Sequence, residues 1–203
     1  RLYHSLPTRR SSDLLYSVDF AEIEKLQHQG RWDDTAVILS NAAKNIEGGG
    51  ADFILICTNT MHKVAEKIEQ SLSIPLVHIA DATAEQLVAD GIKRVGLLGT
   101  QFTMEQGFYK NRISDKYGIE VIVPSSEDQS AVHNIIYSEL CLGNIQETSR
   151  ERYIQVIEKL HKQGAEAVIL GCTELSLLVQ QQHTNVPLYD TTLIPASTEV
   201  TLE

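Results

Sequence analysis

Short apolar runs alternate with longer amphipathic stretches along most of the chain. Residues 14–18 read as a short strand. Asp33 and Asp34 can cap a helix whose apolar positions Val37, Ile38, Ala42 and Ile46 recur at helical spacing, and Gly48, Gly49 and Gly50 stop it. Residues 53–57 read as a strand buried on both faces, and residues 60–72 as a helix presenting Val64, Ala65, Ile68 and Leu72 on one side. Residues 76–79 form the next expected strand, followed by a helix capped by Asp81 and ending near Gly91.

The rhythm then repeats. Residues 94–99 are an expected strand, Thr103 opens a helix ending at Tyr117 and Gly118, and residues 119–123 are a strand. A polar loop around Ser125 to Asp128 leads into two helices reaching about Gln163. Residues 168–171 and 187–189 are the last expected strands. Short apolar strands alternating with helices specify parallel sheets with crossover helices.

Within this rhythm the chain repeats itself. Residues 50–59 (GADFILICTN) lie over residues 164–173 (GAEAVILGCT) without a gap, so Thr58 falls on Cys172 and Asn59 on Thr173. Downstream, Ile74-Pro75-Leu76-Val77 matches Val186-Pro187-Leu188-Tyr189. The expected architecture is α/β, with two pseudosymmetric parallel-sheet lobes and a site in the cleft between them. The lobes span residues 14–91 and 92–185; residues 186–203 form a C-terminal strand and helix returning to the first lobe. The strand at residues 94–100 has no counterpart ahead of Thr58, so the first lobe is expected to lack its opening strand and helix. Residues 1–13 have no periodicity and a local charge unlike the rest; they read as non-native or disordered, resembling a translated sequencing adapter more than a natural segment.

Composition narrows the function. The 203 residues carry a formal net charge of −10 without a basic cluster beyond the first residues, which argues against nucleic acid or an anionic membrane as a partner. The apolar runs are too short to cross a bilayer, and no signal-peptide pattern is present. Three cysteines, Cys57, Cys141 and Cys172, form no Cys-x-x-Cys pair, so a disulfide framework or zinc site is not expected and the cytoplasm is the expected compartment.

Ligands of open parallel sheets bind beyond the carboxyl ends of the strands. Thr58-Asn59-Thr60 and Cys172-Thr173-Glu174 both fall there, each ahead of a helix whose backbone N–H groups favour anions and lower a thiol's pKa. Cys172 is thus a candidate thiolate base. Cys57 and Cys141 read as small apolar side chains, Cys57 turned away from the site by strand alternation and Cys141 on an amphipathic helix. Thr58, Asn59, Thr60 and Thr173 are helix caps or carboxylate ligands; Thr100 follows the same strand-end logic and Thr103 is a further cap. His62 reads as a helix-face histidine. Gly96 and Gly99 lack dinucleotide-fingerprint spacing, so NAD is not expected.

On these residues the chain resembles the aspartate/glutamate racemase family, within the wider aspartate/glutamate/hydantoin racemase superfamily. The resemblance rests on Ser17-Val18-Asp19-Phe20, on residues 57–62 (CTNTMH), on Gly99-Thr100 with residues 103–106 (TMEQ), and on Gly171-Cys172-Thr173-Glu174. It implies a racemase without cofactor or metal, commonly a homodimer, acting on a small amino acid between two lobes. It assigns Cys172 to deprotonation of the L-enantiomer and puts Thr58 where typical members carry a second cysteine, as in an L-aspartate/glutamate-specific branch. Glu174 resembles the aspartate-racemase branch. Asn59, Thr60, Thr100, Thr103 and Thr173 become candidates for holding an enediolate-like carboxylate, and Gln27 matches a position that binds the substrate's side-chain carboxylate. The family's histidine near the C-terminus is Pro195 here. Maleate isomerisation, hydantoin racemisation and an inactive small-anion binder are the competing readings.

Overall fold

The computed structural model describes residues 13–193. They fall into two compact units, residues 13–54 with 67–75, and residues 55–66 with 76–193.

In the first unit, α1 (Phe20–His28) packs against α2 (Trp32–Gly48) through Ile23, Leu26, Ala36, Ala42 and Ala43. Residues 14–18 are not a strand. Leu14, Leu15 and Tyr16 are exposed with no ladder partner, and the segment ends at Asp19, whose carboxylate accepts the Ala21 N–H at 2.9 Å and caps α1. Asp33 and Asp34 do not cap α2. The helix starts ahead of them at Trp32, leaving both carboxylates in the first turn where the helix dipole favours them. Glu47 at the other end accepts the backbone N–H groups of Ser73 and Ile74, at 2.7 and 3.2 Å.

The repeat is visible in the backbone. Gly50, after α2, has φ +92°, and Gly164, after α8 (Glu147–Lys162), has φ +101°. Both sit in left-handed conformations that a side chain would strain, and each turns the chain from a helix toward a strand. The strands differ. β1 is only Ile54–Leu55, with Leu55 exposed, so the run 53–57 is not a strand buried on both faces. It forms a two-stranded sheet with β2 (Leu76–Val77). Residues 60–72 are not one helix either: Thr60–Val64 is a 3-10 turn and only α3 (Ala65–Glu69) is α-helical.

The second unit is built on a four-stranded, all-parallel sheet of order β4-β3-β5-β6, made of β3 (Arg94–Gly99), β4 (Glu120–Ile122), β5 (Ala167–Gly171) and β6 (Leu188–Asp190). Alternation along β3 and β5 sends side chains to both faces. Leu98, Val168 and Leu170 meet Val132 and Ile136 of α7 (Ser126–Ser138) and Tyr153, Val156, Ile157 and Leu160 of α8. Val95, Leu97, Ala167 and Ile169 meet Ala80, Ala84 and Leu87 of α4 (Ile79–Ala89) and Tyr109 and Ile113 of α6 (Gly107–Tyr117). This double coverage explains the continuous apolar runs. Truncating one of these buried leucines costs about 2–5 kcal/mol.

Four expectations change here. Helix α4 is capped by His78, not Asp81, and its apolar face packs in the second unit, so the chain does not divide near residue 91. Strand β6 does not return to the first lobe. It pairs with β5, Val168 opposite Leu188, because Val186 and Leu188 bury against the α7/α8 face. Cys141 lies in a 3-10 turn (Leu140–Leu142) between α7 and α8. The expected C-terminal helix, Pro195 and residues 1–12 lie outside the described residues. Among the described residues no helix is long and apolar enough to cross a membrane, and no three His, Cys, Asp or Glu side chains converge to hold a metal ion.

Candidate active site

The carboxyl ends of β3, β5 and β6 lie side by side, and each is followed by a polar residue. Gly99 pairs with Gly171 and Leu170 with Asp190, so the register sets Thr100, Cys172 and Thr191 just beyond three neighbouring strands, with Cys172 in the middle. Two glycines permit this closeness. A Cβ on Gly99 would stand 2.7 Å from the Gly171 carbonyl oxygen, and one on Gly171 would stand 2.9 Å from that of Leu98. The strand-end glycines thus serve strand approach rather than a phosphate.

Residues 58–60 connect to both flanking strands. Asn59 Nδ2 donates to Thr191 Oγ1 at 2.8 Å, beyond β6. Thr60 Oγ1 lies 2.9 Å from Thr100 Oγ1, beyond β3. Consecutive residues therefore tie to strands on opposite sides of β5, and the segment crosses its end, where Cys172 sits.

Thr60, Thr100 and Thr103 form a buried triangle of hydroxyls, the remaining sides 3.3 and 3.2 Å. Thr100, rather than Thr103, caps α5 (Gln101–Glu105): its hydroxyl accepts the Thr103 N–H at 3.3 Å. The three hydroxyls share only three hydrogens, so a carboxylate oxygen arriving here can recruit donors by breaking the longer contacts.

Asn59 is 2 % exposed, and its Oδ1 has no hydrogen-bond partner. Its orientation is fixed. The single Thr191 hydroxyl hydrogen is given to the Leu170 carbonyl at 2.9 Å, so Thr191 can only accept from Asn59, which must present Nδ2. Oδ1 is left as a buried acceptor, a state that costs about 1–3 kcal/mol unless a donor arrives.

Cys172 is 8 % exposed, and its thiol donates to Glu174 Oε2 at 3.0 Å; the Thr173 hydroxyl donates to the same oxygen at 2.7 Å. Burial pushes the thiol well above its usual range, and the nearby Glu174 carboxylate pushes the same way. The expectation of a thiol acidified by a helix start is therefore overturned. The following helix, α9 (Leu175–Leu178), has four residues, and its pull is outweighed by burial and a neighbouring negative charge. At rest the sulfur is protonated, with its hydrogen directed at the Glu174 carboxylate.

The half-buried Thr58 lies at the start of this crossing segment. Its carbonyl is 2.8 Å from His62 Nδ1, and His62 Nε2 accepts the Ile79 N–H at 3.2 Å. The His62 ring packs against His78, centroids 4.3 Å apart. Burial lowers the His62 pKa to about 4. Of the residues expected from sequence, Thr58, Asn59, Thr60, Thr100, Thr103, Cys172, Thr173 and Glu174 all belong to the second unit. Gln27 does not: it is buried on α1 in the first unit. Thr191 is missing from the expected set because the strand expected at residues 187–189 ends one residue before β6 does, so the same strand-end signal falls on Asp190.

A model of the family described as Asp/Glu/Hydantoin racemase matches residues 4–198, beginning inside the segment that its composition sets apart. The chain belongs to the Asp/Glu/hydantoin racemase family. Among solved racemase-like structures, that of a candidate Asp/Glu racemase from Yersinia pestis is 57% identical, over 91% of this chain and 80% of that one, with a TM-score of 0.83. An aspartate racemase homologue from Pyrococcus horikoshii OT3 is 36% identical, over 89% of this chain and 78% of that one, with a TM-score of 0.75. The broad specificity amino-acid racemase RacX of Bacillus subtilis (strain 168) is 28% identical over 168 residues, 83% of this chain and 72% of the relative.

Proposed function

We propose that this racemase-family chain interconverts the enantiomers of aspartate- or glutamate-like amino acids without a cofactor, Cys172 working one face of the α-carbon and Thr58 the other. The observation that carries the reading is the path of residues 58–60 across the end of β5, anchored through Asn59 to Thr191 and through Thr60 to Thr100. That path supports a site shared by a hydroxyl and a thiol at matched places in a repeated unit.

The chemistry follows from acidity. Cys172 gives its proton to Glu174, and the resulting thiolate removes the α-proton of the L-amino acid, becoming a thiol again. The carbanion's charge spreads into the substrate carboxylate as an enediolate, which the hydroxyls of Thr60, Thr100 and Thr103 stabilise by donating to it. The Asn59 Oδ1 acceptor takes a hydrogen bond from the substrate ammonium. Thr58 gives its hydroxyl proton to the opposite face, forming the D-enantiomer; the alkoxide is reprotonated by water, and the hydroxide left takes the proton held by Glu174, which restores the resting state. A threonine hydroxyl is a far weaker acid than a thiol near pKa 8.5, so it returns a proton to a basic carbanion more readily than it abstracts one. The family resemblance also supports a homodimer.

Incubation with L-aspartate in D2O tests the reading. Uptake of α-deuterium together with appearance of D-aspartate is the expected result, with D-aspartate consumed more slowly than L-aspartate at saturating substrate. Equal saturated rates would remove the directional role of Thr58. Binding without deuterium uptake would identify a small-anion binder, the reading that the protonated resting thiol favours.

A further inference from the structure

His62 is buried, 3 % exposed, and is not among the side chains assigned to substrate above. Its two ring nitrogens have unequal tasks. Nε2 faces the Ile79 backbone N–H, which can only donate, so Nε2 carries the lone pair. The proton therefore sits on Nδ1 and is donated to the Thr58 carbonyl. The ring joins the turn that holds Thr58 to the amino end of α4. That end is held separately: His78 accepts the Ala80 N–H at 3.2 Å, and Asp81 pairs with Arg112 and Lys116 of α6 at 2.6–2.7 Å. Thr58 itself is only half-buried and precedes the 3-10 turn that begins at Thr60, so helical hydrogen bonding does not fix its backbone.

We propose that His62 is a positioning residue for the return proton: as a neutral Nδ1–H tautomer it clamps the Thr58 carbonyl to the anchored start of α4 and so sets the direction of the Thr58 hydroxyl. This rests on the reading of Thr58 as proton donor. Clamping one peptide carbonyl leaves a side chain only its rotamer to choose, and an ångström of drift at a reacting group costs rate steeply. A protonated imidazole would turn an N–H toward the Ile79 N–H and open the clamp. Burial keeps the ring neutral at ordinary pH.

The test separates the two faces of the reaction. In D2O, L-aspartate that loses its proton to Cys172 either inverts, through Thr58, or regains deuterium on the original face. His62→Leu and His62→Gln are expected to lower the ratio of inversion to exchange-with-retention at least tenfold, because the longer-lived carbanion returns through Cys172. His62→Asn, whose amide nitrogen lies near the place of Nδ1, is expected to restore most of that ratio. Thr58→Ala is run beside them. A ratio moved by Thr58→Ala but not by His62→Leu or His62→Gln overturns the role of His62 alone. A ratio moved by neither residue overturns both it and the Thr58 reading. A loss of exchange and inversion in equal measure shows a merely structural role and also overturns the proposal. If the variants do not fold, imidazole nitrogen shifts of the unaltered protein decide: an Nδ1–H tautomer is expected, and an Nε2–H tautomer overturns the clamp.

Discussion

The turns after β1 and β5 begin from nearly the same sequence and are held in different ways. After β1, the Thr58 carbonyl is bound by an imidazole from the next turn, and the following two side chains reach to neighbouring strands. After β5, the polar side chains bond locally. Cys172 and Thr173 both donate to Glu174, one or two residues away. The threonine turn is fixed by long-range contacts of Asn59 and Thr60. The cysteine turn is self-contained, and its carboxylate changes the chemistry of its sulfur. Duplication supplies equivalent places, and local partners decide what each place can do.

Breaking the cysteine turn should have the largest effect. Glu174→Gln removes the proton acceptor and the negative charge together. Racemisation of L-aspartate should fall about 100-fold or more, the scale of a lost general acid–base group. With the carboxylate gone, the thiol pKa should drop, so in a Cys57→Ser, Cys141→Ser background iodoacetamide should label Cys172 at lower pH than before. Faster labelling with lost turnover separates the two roles of Glu174; unchanged turnover would deny it the proton.

Making the turns alike is the next step. Thr58→Cys puts a thiol on both faces, and a thiol yields a usable base where a hydroxyl does not. At saturating substrate, consumption of D-aspartate should rise about tenfold relative to L-aspartate, which the saturated initial rates from each enantiomer will show. No change in that preference would mean that the threonine does not set the direction.

The smallest effect concerns stability and belongs to the threonine turn alone. The His62 pKa is lowered in the fold to about 4, from 6.5. As the pH falls below about 6.5 the unfolded chain takes up protons first, so stability present above that value is lost on acidification down to about 4. By pH 5.5 the loss from this ring is about 1 kcal/mol, or roughly 3 °C in Tm. His78, held lower still mainly by burial and by His62, acts in the same direction. His62→Gln should flatten the pH dependence of Tm over this window, whereas Glu174→Gln should not.

Much of the site is legible in the residue order alone. Strand-end and capping logic marks Thr58, Asn59, Thr60, Thr100, Thr103, Cys172 and Thr173, and the family resemblance adds Glu174. Gln27 is marked by resemblance alone and falls in the other unit. In the fold, the periodicity of residues 94–99 and 168–171 foretells buried strands because both faces of that sheet are covered. The run 53–57 looks the same and gives two residues of strand. An apolar run reports a tendency to be buried, while a ladder also needs a neighbour to pair with. Likewise β6 carries no sign of its partner; Val186 and Leu188 choose it by where their side chains can bury.

The sequence by itself determined the repeat, the left-handed glycines that open each copy, the apolar strands, and which reactive side chains stand at their ends. These are local properties, set by backbone freedom and by hydrophobic spacing. Only the tertiary structure decided that the Cys172 thiol is protonated at rest, that Asn59 must offer its oxygen, and that His62 is a neutral clamp. Each of those depends on burial and on partners up to 132 residues away in the chain, as Thr191 is from Asn59, and no local pattern encodes the dielectric or the neighbours that folding provides.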